Sequence, residues 1–137
     1  MKATTIEQSL HLIGLGLKRT SSDLYYYKGH RDELEVIVKH ENLDDEDIIA
    51  WSLDALINAM PKIIVHDMNK HVLCLRYAEG KAPFMYYVVE SGINKGTLVR
   101  FNNGRCVPDA YDALDAAYQM VCWLLEDGYI KKEEDNG

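Results

Sequence analysis

Apolar residues recur every three or four positions over three stretches of the chain. Elsewhere they alternate with polar ones or run in short blocks. That pattern predicts three helices and a group of strands. The first helix opens at Thr4-Thr5, with Glu7 and Gln8 at capping-box spacing. Ile6, Leu10, Ile13 and Leu17 mark its expected apolar stripe, and Gly16 before Leu17 reads as a C-terminal stop. The segment "NLDDEDIIAWSLDALINAMP" reads as a second helix capped by Asp44 or Asp45 and ended by Pro61, with Ile49, Leu53, Leu56, Ile57 and Met60 at helical spacing. The third runs from Asp109 to Asp127. Its polar residues Asp112, Asp115, Gln119 and Glu126 fall on one narrow stripe, so nearly the whole circumference is expected to be enclosed, with Val121, Leu124 and Leu125 in the core. Gly128 with Tyr129 and Ile130 marks its end.

The strands divide into two groups. "LYYYK" and "LEVIVK" are rich in aromatic and β-branched residues and are joined by the polar "GHRDE". From 62 to 107 the chain reads as a meander of "KIIVH", "HVLCLRYA", "PFMYYVVE", "TLVRFN" and a short "RCV", with Asn103-Gly104 the strongest hairpin signal. Strand 84–89 is apolar at both alternating sets of positions, as in a strand covered on both faces. The expected fold class is therefore α+β: an antiparallel meander packed against a mostly buried C-terminal helix, with two further helices. A length of 137 residues suits one domain, and residues 130–137 read as a disordered charged tail.

Composition adds constraints. With 47% hydrophobic and 27% charged residues the chain is an ordinary globular one, not a disordered one. No 18 apolar residues run together, so no membrane span is expected. The N-terminus lacks the apolar core of a signal peptide, which makes the cytosol the expected compartment. Cys74, Cys106 and Cys122 are an odd number at wide spacing, without the paired pattern of a disulfide framework or a cysteine zinc site. Net charge is −7 but uneven: +2 over 1–30, −7 over 31–60, +4 over 61–108 and −6 over 109–137. The acidic flanks oppose a nucleic-acid partner, although Arg76, Lys81, Lys95, Arg100 and Arg105 lie among Tyr77, Tyr86, Tyr87 and Phe101 in the way single-strand binders combine charge and stacking.

Two blocks, "AWSLDALINAMPK" and "DAAYQMVCWLLEDGYIKK", together with "EQSLHLIGLGL…SSDLYYY", resemble short uncharacterised proteins of gut Bacteroidales genomes and their prophages or mobile elements. The resemblance covers about half the chain, in its helical blocks. It implies a genomic context and no activity, cofactor or residue role.

Candidate chemistry is sparse. No phosphate-binding glycine loop, nucleophile elbow or HExxH pair is present. Cys122, near the C-terminal end of its helix and among Val121, Trp123 and Leu124, reads as an inert core thiol. The run Asp44–Asp47 lacks the order of a calcium loop and reads as a solvated helix start. If "DMNK" is a four-residue hairpin loop, His66 and His71 stand opposite each other beside Asp67, and the three form a candidate metal site. The leading expectation is a non-enzymatic interaction or accessory protein of a prophage or mobile element, with no cofactor and with a protein partner, itself included as a homodimer. The alternatives are a small metal-dependent enzyme using His66, His71 and Asp67, and a weak single-stranded nucleic-acid binder.

Overall fold

The computed structural model describes residues 2–28, 34–39, 43, 47–66, 68–76, 84–89 and 113–133. Among these residues it has the α+β architecture expected, with two three-stranded antiparallel sheets and three α-helices. Helix α1 (Ile6–Leu15) begins with a complete capping box: Gln8 N–H donates to the Thr5 hydroxyl, and Thr5 N–H donates to the Gln8 side-chain oxygen. It ends at Gly16, whose φ of 101° lets Leu17 N–H reach back to the Leu12 carbonyl at 3.0 Å. The buried face differs from the expected stripe. Leu10 is 54% exposed, while Ser9 and Leu12 are fully buried. Ser9 is held inside because its hydroxyl bonds that of buried Thr4 at 2.7 Å.

Gly16 is also where the C-terminal segment returns. Glu133 N–H donates to the Gly16 carbonyl at 2.7 Å. The segment expected as a tail is thus attached to the body as far as Glu133, and residues 134–137 lie outside the described residues. A Cβ built on Gly16 would stand 2.8 Å from Lys132 Cβ, at a backbone angle that side chains disfavour. Gly16→Ala is expected to cost about 1–2 kcal/mol or more, read as a fall of several degrees in Tm. An unchanged Tm would mean that the 131–133 segment does not lie there.

Strands β1 (Leu24–Lys28) and β2 (Leu34–Val38) pair antiparallel, Leu24 opposite Val38, and the other edge of β1 carries β3 (Ile49–Ala50). This corrects the second helix. Helix α2 spans only Leu53–Ala59, and its N-cap is Ser52, whose hydroxyl accepts from Ala55 N–H. Ile48 to Ala50 are extended instead, because Ile49 and Ala50 find strand partners in Tyr25 and Leu24, and Tyr26 N–H donates to the Ile48 carbonyl. The cap of the described helix is thus Ser52 rather than the expected Asp44 or Asp45, which lie outside the described residues, as does Glu46.

The second sheet is the meander β4 (Ile63–His66), β5 (Asn69–Arg76) and β6 (Phe84–Val89), in that spatial order. The last two strands expected for the meander, "TLVRFN" and "RCV", lie outside the described residues. Helix α3 (Ala113–Glu126) packs on this sheet through Trp123 against Tyr87 and is buried around most of its circumference; Val121, Leu124 and Leu125 are fully enclosed. One continuous apolar cluster joins Leu12 of α1, Tyr25 and Ile49 of the first sheet, Leu56 of α2, Ile64 and Tyr87 of the second sheet, and α3. No helix among the described residues is long and apolar enough to cross a membrane.

Candidate functional site

The hairpin between β4 and β5 pairs His66 with Asn69, so two positions rather than the expected four separate the paired strand ends. Met68 takes the left-handed conformation, φ 65°, that this short turn requires. His66 and His71 are consequently not cross-strand partners, since His71 stands opposite Ile64. They meet along the diagonal of the same sheet face, with ring centroids 5.8 Å apart and planes at 79°. The expected proximity is realised by another register. Asp67, the third member of the expected metal site, lies outside the described residues.

Each imidazole is oriented by an oxygen. His71 is 3% exposed, and its Nδ1 lies 2.9 Å from the Asn69 carbonyl. A carbonyl only accepts, so Nδ1 carries the proton, and in the neutral ring Nε2 holds the lone pair. His66 Nδ1 lies 2.6 Å from the Tyr129 hydroxyl. Tyr129 follows Gly128, whose φ of 82° turns the chain so that Tyr129 N–H donates back to the Leu124 carbonyl. The helix stop therefore places a phenol against the hairpin. Trp123 lies 5.3 Å from the Tyr129 ring and 6.4 Å from that of Tyr87, whose hydroxyl donates to the Pro61 carbonyl at 2.6 Å. These rings tie the end of α3 to both ends of β4. Among the described residues no three His, Cys, Asp or Glu side chains converge as a metal cage.

Cys122 is half-buried and beside Tyr118, and burial is the main cause that raises its thiol from 9.0 to about 11. Because the folded state keeps its proton longer than the unfolded chain, this thiol contributes no pH dependence below the ordinary thiol range. Its share of stability is lost as pH rises from 9.0 through about 11. A thiol held that high carries about a hundredfold less thiolate at neutral pH than an ordinary one, so maleimide should label Cys122 at least that much more slowly in the native protein than in urea. Equal rates in the two states, mapped by mass spectrometry, would overturn the inert-thiol reading.

Of the aromatic residues named as base-stacking candidates, Tyr87 is 1% exposed and has no face to offer a base. The side chains of Arg76 and Tyr86, and the whole of Tyr77, Lys81, Lys95, Arg100, Phe101 and Arg105, lie outside the described residues.

Sequence reasoning misses the polar seam under the first sheet. Trp51 is fully buried with its indole N–H on the Ser21 hydroxyl at 2.9 Å, its backbone N–H on the Thr4 hydroxyl at 3.1 Å, and its carbonyl accepting from Thr4 N–H at 2.9 Å. Beside it the Asp23 carboxylate accepts from the backbone N–H and hydroxyl of Ser52. Ser52 directly before Leu53 is a local signal for a cap; nothing local announces the rest. Every one of these groups is bonded to protein, so the seam is architecture rather than a waiting site. In comparisons with known protein families, curated proteins and solved structures, the chain finds no significant match.

Proposed function

We propose that this chain is a non-enzymatic interaction protein of the cytosol, an accessory factor of a prophage or mobile element, that docks a protein partner on the outer face of the β4–β5 hairpin. The carrying observation is the exposure there of Ile63 and Val65, at 57% and 60%. Val72 stands directly opposite Ile63, and Met68 at the turn is 97% exposed. Grouped branched aliphatics in water favour a covering surface. Exposed Lys70 stands opposite Val65 on the same face and suits an acidic group on the partner. The test is capture from host lysate with a photocrosslinker at Val65, compared with the Ile63→Glu/Val65→Glu variant. Loss of one specific product at unchanged Tm supports the reading. Capture that the double variant does not weaken would defeat it.

One observation favours a second reading, metal binding at the histidine pair. An Nδ1–H held by a backbone carbonyl, as in His71, is the arrangement that aims Nε2 at a metal. Zinc or nickel titration followed by elemental analysis tests it: stoichiometric metal lost in His71→Gln favours this reading, and none bound by the wild type removes it.

A further inference from the structure

Strand β2 is an edge of the first sheet among the described residues, and its outer backbone groups can be assigned. Tyr26 N–H donates to the Ile48 carbonyl, so even-numbered residues of β1 face β3. Lys39 N–H donates to the Asp23 carbonyl, so the odd-numbered residues of β2 face β1. By the alternation of an antiparallel ladder, the N–H and C=O groups of Leu34, Val36 and Val38 point away from the sheet. Their side chains share one sheet face, on which Leu34 and Val38 are 51% and 64% exposed. This edge carries neither proline nor lysine between Leu34 and Val38, two of the devices that guard an open edge.

From this edge we infer that two copies of the chain pair antiparallel through β2, about a twofold axis at Val36. In that register Val36 meets Val36 of the second copy, and Leu34 meets Val38 of the second copy, twice by symmetry. All three pairs join residues with outward-pointing groups, so each is a narrow pair exchanging two hydrogen bonds, about six in all. The same register brings each exposed aliphatic against another. Glu35, the one charge in the strand, stands opposite Ile37, with Lys39 and Glu35 of the second copy on its two diagonals. A shift by one residue moves the centre off Val36 and sets Leu34 against Ile37, whose backbone groups face the other way. A shift by two residues restores the alternation but pairs only two of the three outward residues with one another, so the register centred on Val36 is the one that uses the whole edge. It concerns a different surface from the β4–β5 face and stands whether or not that face takes a foreign protein.

A five-residue edge makes a small interface, so the dimer is weak and concentration dependent. Sedimentation of the full chain from micromolar to millimolar concentration should show a monomer–dimer equilibrium. Val36→Pro removes the central outward N–H without touching the β1 ladder, and should leave a monomer of nearly wild-type Tm. Should that variant unfold, Leu34→Lys/Val38→Lys sets like charges opposite each other and is expected to give the same loss. Register is read by oxidation against the wild-type cysteine background. Val36→Cys should form a covalent dimer, because a narrow pair places Cα atoms about 5.5 Å apart, within disulfide reach. Leu34→Cys alone should not, its copies being offset by four residues, about 13 Å; mixed with Val38→Cys it should. A monomer at millimolar concentration overturns the proposal. So does a dimer indifferent to both edge variants, or self-crosslinking of Leu34→Cys in preference to Val36→Cys.

Discussion

Replacing Trp51 by alanine should cost about 3–5 kcal/mol, the range for deleting a large buried aromatic, which is a third or more of the stability of an ordinary domain of about 10 kcal/mol. The side chain is fully buried, and it sits where the first sheet, α1 and the start of α2 meet. Alanine would leave a void, and the Ser21 hydroxyl would lose the indole N–H that now bonds it. Trp51→Phe helps to separate the two effects, because it keeps most of the volume and loses the hydrogen bond, worth about 1 kcal/mol, with a much smaller void than alanine leaves. Urea denaturation followed by far-UV circular dichroism measures both variants. A loss under about 1 kcal/mol for alanine would show that the seam is not a joint of the fold.

The residues at this joint explain what can and cannot be read from sequence. The capping box at Thr5 and Gln8 and the two glycine stops are local, spanning a few residues, and all three are found where the local pattern places them. Ile49 is ambiguous. It fits the helical spacing of Leu53 and Leu56 and equally fits a strand, and what decides is pairing with Tyr25, two dozen residues earlier. Thr4 and Trp51 are 47 residues apart, and Ser21 and Trp51 are 30 apart, so no window of local pattern contains them. Buried Ser9 moves the inner face of α1 away from Leu10 for a different reason: its partner Thr4 is close in sequence, but their hydrogen bond replaces the apolar contact that periodicity assumes.

The histidine pair is legible in part. His66 and His71 on adjacent strands come close in either register, because a hairpin brings both ends of a short segment together. Which residue faces which depends on loop length, and the usual flag for a two-residue loop is a glycine or asparagine at the left-handed position. Here Met68 occupies it, so the signal is absent. In sequence Tyr129 is the apolar backing of a helix stop, yet its hydroxyl also holds His66. A tyrosine after a C-terminal glycine has two ends, and helical periodicity describes only one.

Leu124 carries the second large expectation. Leu124→Ala should destabilise the protein by about 2–5 kcal/mol. Its side chain is fully enclosed, in the last turns of a helix with buried residues on nearly every face. A neighbour cannot relax into the space without moving a second contact, which places the expected cost toward the upper half of that range. The backbone of the same residue closes the helix: its carbonyl accepts from Tyr129 N–H at 2.8 Å and from Ile130 N–H at 3.2 Å. Loss of packing at Leu124 should therefore loosen the Tyr129 hydroxyl from His66, visible as faster hydrogen exchange at Tyr129 and Ile130 than at Leu12. Gln119→Ala, on the polar stripe of the same helix, is the control, and should cost well under 1 kcal/mol although its side chain bonds Asp115. Equal losses for the two variants would mean that α3 is not enclosed as described, and the expected ordering would fail with it.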